Sequence, residues 1–300
     1  MQHYTTQTEE SISFGCWLSG INRQVYYRKI NTFHKKQCIA DQVVDLVGQE
    51  RRVQPKLGTR KLYFILKNKL RDLKVGRDKF FDILRANHLL IIPKRSYHVT
   101  THSYHRFRKH PNLIKEMEIT EPEKVWVSDI TYIGKREKPC YLSLITDLYS
   151  KKIVGFDVSD SLATEGTVRA LKMAQKNRIY KNKALIHHSD RGLQYCSDEY
   201  QFLLKKYDIE CSMTQSSDPY ENAIAERVNG ILKQEFSIDN MHLDLPMMRK
   251  VITEVIYIYN NQRPHLSNYM LTPNQMHLQQ KIRYKTYKQK NSSKLLQTTV

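Results

Sequence analysis

Between residues 125 and 213 the sequence changes period several times, and this most limits the fold. VWVSDITYI (125–133) and CYLSLITDLYS (140–150) are rich in β-branched and aromatic residues and partly alternate. KIVGFDVS (152–159) follows, then a helical pattern across 163–177. ALIHHSD (184–190) reads as a short buried strand, 197–206 as a helix, IECSMT (209–214) as another strand and 220–236 as a helix. Three strands in a meander followed by strand–helix alternation require an α/β fold, a mixed five-stranded sheet with helices on its faces. A further helix is expected at 246–260, and the polar, basic last twenty residues read as a frayed tail.

The charge on either side of this region is the second constraint. Residues 51–115 hold 18 Lys and Arg against 3 Asp and Glu, residues 121–240 hold 17 against 18, and residues 241–300 hold 9 against 2. A near-neutral middle between basic flanks, in a chain of net charge +19, points to a domain held on a polyanion by its neighbours. Lys and Arg contacts to phosphate supply most non-specific nucleic-acid binding, so DNA is the expected partner.

The basic flank reads as helices. Residues 11–30 suggest a short helix, a turn at Gly20 and a second helix carrying Arg23, Gln24, Tyr26, Tyr27 and Arg28. Amphipathic helices are expected at 39–49 and 60–72, the latter with Leu62, Ile65, Leu66 and Leu70 on one face. Gly76-Arg77-Asp78 turns into a helix bearing Phe80, Ile83 and Leu84, which makes a second, more basic helix-turn-helix candidate. Arg60, Lys61, Arg77 and Lys79 are its candidate DNA contacts. Residues 93–112 lack periodicity and mix Arg106, Arg108 and Lys109 with aromatic residues, as a linker following a nucleic-acid backbone would. The expected organisation is therefore an N-terminal helical segment (1–50), a basic helix-turn-helix segment and linker (51–115), a core (120–280) and a basic tail (281–300).

Other classes are disfavoured. Five widely spread cysteines without a Cys-x-x-Cys pair fit neither a disulfide framework nor a structural zinc site, and the linker histidines have no cysteine partners. No apolar run reaches the eighteen or so residues of a membrane span. Residues 1–30 lack the pattern of a secretory signal, so an intracellular protein is expected.

Three carboxylates stand out by position. Asp129 interrupts an apolar strand, where β propensity disfavours it. Asp190 ends the fourth strand, where open α/β sheets place ligands. Glu226 lies in a helix, with 35 residues between it and Asp190. Singly they read as a strand-edge acid, a helix cap and a solvated glutamate. Together they make a mutually repulsive set suited to a hard cation such as Mg²⁺. Two such ions roughly 3.5–4 Å apart can activate the attacking oxygen and stabilise the leaving one in a phosphodiester displacement. His187 and His188 stay outside that set. Lys233, seven residues beyond Glu226 on one helix face, is placed to contact DNA.

WVSDITYI (126–133), HSDRGLQY (188–195) and ENAIAERVNGILKQEF (221–236) resemble the catalytic motifs of bacterial insertion-sequence transposases whose catalytic half comes from a second reading frame. YNNQRPH (259–265) and TPNQMH (272–277) are similar to the C-terminal signature of that family, and GTRKLYFIL and GRDKFFDILR to its basic helix-turn-helix. The resemblance covers roughly residues 11–280. It implies a ribonuclease-H-like, integrase-type core, with Asp129, Asp190 and Glu226 as catalytic and metal-binding residues and Lys233 as a DNA contact. It also implies Mg²⁺, or Mn²⁺ in its place, with two ions per site.

The reaction it implies is cleavage at the ends of an element, followed by attack of the freed 3′-hydroxyl on another phosphodiester. The implied partners are double-stranded DNA (terminal repeats and target), an upstream reading-frame product or fusion to it, and further copies of the chain on DNA. The implied location is the bacterial cytoplasm, at the nucleoid when DNA-bound. Two other readings stay open at this point: an idle DNA-binding relative that regulates transposition, and a nuclease of the same fold that does not join strands.

Overall fold

The computed structural model describes residues 11–92, 110–115, 117–134, 139–215 and 222–279. These divide into two compact units, one of the residues up to Arg52 together with Leu62–Leu90, the other of Val53–Lys61 and the residues from Ile91 onward.

The first unit is helical. Helix α1 (Ile12–Leu18) is capped by Ser11, whose hydroxyl accepts the Phe14 N–H at 3.3 Å. Gly20, at φ +64°, supplies the left-handed turn that follows. Helix α2 then runs unbroken over Arg23–Val53. The two shorter helices expected here, ending near 30 and spanning 39–49, are one element, because neither proline nor glycine occurs between residues 23 and 47 to interrupt it. The helix expected over 60–72 is instead two, α3 (Thr59–Ile65), whose first three residues belong to the second unit, and α4 (Lys67–Asp72), divided at Leu66. Helix α5 (Arg77–Ala86) starts after Gly76. Leu62, Leu66, Leu70, Phe80 and Leu84 are all buried, and the Tyr63 and Phe80 rings lie 5.8 Å apart. Apolar residues at helical spacing thus form the interior while Lys67, Lys69, Arg71, Arg77, Lys79 and Arg85 remain outside.

The second unit is built on a five-stranded sheet: β1 (Val125–Gly134), β2 (Pro139–Asp147), β3 (Ile153–Ser159), β4 (Leu185–Ser189) and β5 (Ile209–Met213), in the order β3-β2-β1-β4-β5. β1, β2 and β3 form an antiparallel meander, while β4 and β5 run parallel to β1. Strand order and sense are those of the ribonuclease-H-like mixed sheet expected from the sequence. Helix α6 (Thr164–Lys176) makes the crossover from β3 to β4, and α7 (Leu193–Cys196) with α8 (Asp198–Lys206) leads to β5.

Both faces of the sheet are covered. Leu142 and Leu144 of β2 pack on α9 (Ala223–Phe236) and α10 (Leu245–Asn261) through Val228, Leu232, Ile252 and Tyr259. Ile145, the next residue along, lies with Trp126 and Val154 in the opposite layer, under Leu171 and Ala174 of α6 and Tyr200 and Leu204 of α8. This is the period of two expected of a strand buried on both sides. The last helix among the described residues, α11 (Pro273–His277), begins with a capping box between Thr272 and Gln275. It seats His277 among buried Glu123, Asp147 and Ser150.

Candidate active site

The sheet register brings the two aspartates together. The parallel ladder between β1 and β4 pairs Val125 with Ile186 and ends at Ser128 with Ser189. Asp129 and Asp190 are the next residue along each chain where this ladder stops: β4 ends there, while β1 continues, paired with β2 alone. Adjacent strands lie about 4.8 Å apart, so the two carboxylates emerge side by side. β1 is an inner strand up to Ser128, and Asp129 is its first residue paired with β2 but not with β4. Asp190 accepts the Gly192 N–H at 3.1 Å, so the Arg191-Gly192 turn fixes its side chain. A side chain at 192 would crowd that oxygen, with a Cβ only 3.1 Å from it.

Helix α9 brings the third acid. Asn222 Nδ2 donates to the Ser128 carbonyl at 3.1 Å, and Asn229 Nδ2 to Asp129 Oδ2 at 2.8 Å. Glu226 lies between these two contacts, on the first turn, and is exposed. Beneath the site, Ser128 Oγ donates to the Leu144 carbonyl at 3.0 Å, with the buried Tyr195 hydroxyl 3.1 Å away.

The electrostatics follow from this crowding. Burial, and then the Asp190 and Glu226 charges, push the Asp129 carboxyl up to about 7, against the Asn229 and Ile130 donors that favour the carboxylate. Glu226, although its side chain reaches solvent, is raised in turn by partial desolvation against the site and then by Asp190. Lys233, half-buried two turns along α9, is lowered by burial, while Asp129 and Asp239 hold its charge. Three like charges in one field, with one cation at the edge, favour a bound divalent ion, and carboxylate oxygens suit Mg²⁺ or Mn²⁺. Among the described residues no three His, Cys, Asp or Glu side chains are already gathered as a ligand set. The pair set by strand register is Asp129 with Asp190, and Glu226 acts on it through its field.

The histidines of β4 point inward. His187 Nε2 lies 2.9 Å from the Tyr200 hydroxyl, and His188 Nδ1 lies 2.8 Å from Ser212 Oγ. Both are fully buried, and burial lowers His187 to about 3, so it is neutral.

The expected DNA contacts divide. Arg60, Arg77 and Lys79 are exposed, with Arg77 lightly paired to Asp78 at 3.0 Å. Lys61 is not presented to solvent: it is 7% exposed and its Nζ lies 2.9 Å from Glu235 Oε1, so its charge meets a carboxylate of α9 rather than phosphate. Arg106, Arg108 and Lys109 lie outside the described residues. Asn222, Asn229, Glu235 and Arg263 were not singled out from sequence. Asn229 carried a local signal, since it falls one turn after Glu226 on the same helix.

The sequence is similar to known proteins along most of its length. Residues 119–219 and 207–273 each match an integrase core domain family. An insertion element IS600 protein of 31 kDa from Shigella sonnei is 32% identical over 254 residues, covering 83% of this chain and 92% of that protein. The transposase for insertion sequence element IS904 of Lactococcus lactis is 33% identical over 158 residues, 52% of this chain and 62% of the relative. The HTLV-2 integrase catalytic core domain, solved in complex with magnesium, is similar at a TM-score of 0.42 and 21% identity, covering 52% of this chain and 97% of that one. With the first of these relatives aligned along most of both sequences, the chain belongs to the insertion-sequence transposases built on an integrase core domain.

Proposed function

We propose that this transposase cuts and joins DNA at the ends of its own insertion sequence, with Asp129, Asp190 and Glu226 as the catalytic and metal-holding residues. The observation that carries this reading is the placement of Asp129 and Asp190 at the same level of two parallel strands, inside the field of Glu226. Carboxylates so crowded favour protonation at neutral pH, a state useless for ligating a cation, so the arrangement gains from an ion that offsets their repulsion. Mg²⁺, or Mn²⁺ in its place and as two ions per site, supplies Lewis acidity and an activated oxygen nucleophile for phosphodiester displacement.

The chain's own residues do the rest. Asn222 and Asn229 orient α9 on β1, which holds Glu226 toward the two aspartates. Lys233 offers a cation beside Asp129 for a DNA phosphate. The exposed Arg60, Arg77 and Lys79, with Arg106, Arg108 and Lys109, contribute sequence-tolerant phosphate contacts of the kind that set register on a duplex. Double-stranded DNA carrying the element's terminal repeats and a target duplex are the substrates, bound by more than one copy of the chain together with the upstream reading-frame product.

The test uses labelled DNA carrying the terminal repeats, with Mg²⁺ or Mn²⁺, and the full chain alone and fused to the upstream product. Joined products from the wild type that vanish in Glu226→Gln support the reading. Binding to the ends without cleavage under any of these conditions overturns it and leaves a DNA-binding relative. Release of fragments without joining leaves a nuclease.

A further inference from the structure

A second carboxylate on α9, Glu235, lies nine residues beyond Glu226, about 13 Å along the axis at 1.5 Å per residue. It accepts a bidentate pair from Arg263, Nε at 2.8 Å and Nη2 at 2.7 Å, and a third bond from Lys61 Nζ at 2.9 Å. The Lys56 N–H also donates to the Glu235 carbonyl at 3.0 Å. Arg263 is 1% exposed, and its guanidinium stands 5.7 Å from the centre of the buried Tyr259 ring. The C-terminal half of the helix is therefore held from two directions. One is the segment after α10, and the other is Val53–Lys61, which belongs to the same compact unit although it lies far upstream in sequence.

The charge balance makes Lys61 unusual. Glu235 with Arg263 is already a neutral, bidentate pair. A second buried cation adds desolvation cost and repulsion from Arg263 and Arg227, and burial with these neighbours lowers Lys61 to about 8 despite the Glu235 charge. Stability alone does not call for it. What Lys61 adds is geometry: its Nζ donates to Oε1, the oxygen that also accepts Arg263 Nη2, and so ties the Glu235 carboxylate to the upstream segment as well as to Arg263.

We propose that Lys61 is a positioning residue for strand cleavage and transfer, closing a clamp on Glu235 with Arg263 so that α9 holds Glu226 and Lys233 in register with Asp129. This rests on the assignment of Glu226 and Asp129 to the reacting centre. Asn222 and Asn229 fix the first half of the helix and the clamp fixes the second, so the acid and the lysine lie on a rod tied at both ends. A misplacement of about 1 Å at a reacting centre can cost on the order of a hundredfold in rate.

The experiment compares full-length wild type, Lys61→Met, Lys61→Arg and Glu226→Gln, in whichever of the free or fused forms cleaves. It measures affinity for the terminal-repeat DNA, single-turnover cleavage at saturating DNA and thermal midpoint. Lys61→Met is expected to fold, because Arg263 still neutralises Glu235, with a midpoint within about 3 °C of wild type. Its end affinity should stay within about twofold while cleavage at saturation slows about tenfold or more, and Lys61→Arg should recover most of that rate. Weaker DNA binding with an unchanged saturated rate would instead make Lys61 a phosphate contact and overturn the clamp. A joint fall in midpoint and rate that arginine does not restore would make it a merely structural residue, with the same consequence. Cleavage that survives Glu226→Gln removes the reacting centre on which the clamp acts, a failure distinguishable from the other two.

Discussion

Asn229 Nδ2 donates to Asp129 Oδ2 at 2.8 Å, which joins the helix carrying Glu226 to the strand carrying Asp129. The bond favours the Asp129 carboxylate, against burial and two neighbouring acids that favour its protonated form. Its loss would therefore act on protonation and on geometry together.

Asn229→Leu, which keeps the branched heavy-atom outline and removes the donor, should push the Asp129 carboxyl above its already raised position near 7. A hydrogen bond to a charged group is worth about 1.5–3 kcal/mol, so roughly a tenfold or greater loss of cleavage at neutral pH is expected. The loss should shrink as pH rises and the carboxylate forms. Cleavage rate measured against pH, with Mn²⁺ concentration varied at each point, checks this. A variant whose profile overlays that of wild type would show that the bond has no part in the chemistry.

The same crowding sets the pH dependence of stability. Asp129 titrates near 7 in the fold against an ordinary 3.8, so between those values the folded chain holds more protons than the unfolded one. Stability of the metal-free protein should then fall as pH rises from about 4 to 7 and stay reduced above that. Asp129→Asn relieves this: its thermal midpoint should exceed that of wild type at pH 8 in the presence of a chelator, with the gap closing toward pH 4. Added Mg²⁺ should raise the wild-type midpoint at pH 8 and leave Asp129→Asn nearly unmoved. An asparagine variant less stable than wild type in the chelator at pH 8 would contradict the argument.

Most elements of the core could be read from local sequence because each strand is a compact apolar run and each helix has a buried stripe. Asp129 drew notice because it breaks such a run, and Asp190 because it ends one. Their adjacency was not local information. It depends on β1 pairing in parallel with β4 across a crossover of more than two elements, and only the register ending at Ser128 and Ser189 places them level. Lys61 misled for the same reason. Its helix reads as basic on its outer face, and the carboxylate that takes it inward is Glu235, far along the chain. The length of α2 was legible in principle, from the lack of any breaker between residues 23 and 47, but polar side chains around Gln37 hid the continuity.

Two glycines separate close packing from helix propensity. Gly155 of β3 lies directly under α6: a Cβ there would stand 2.2 Å from the Ala170 carbonyl oxygen and 2.8 Å from the Ala174 Cβ. Both obstacles belong to a packed helix and cannot turn aside, so Gly155→Ala forces α6 off the sheet. A loss of about 3 kcal/mol or more is expected, at or beyond the upper end of ordinary overpacking. Gly230 sits inside α9 with nothing within 4 Å of the added carbon. There alanine removes backbone freedom from the unfolded chain at no steric cost, and Gly230→Ala should stabilise by up to about 1 kcal/mol. Urea unfolding of the two variants beside wild type tests both signs at once. A neutral Gly155→Ala would mean that α6 and β3 are not in the close contact seen here, and a destabilised Gly230→Ala would mean that α9 meets something at that position.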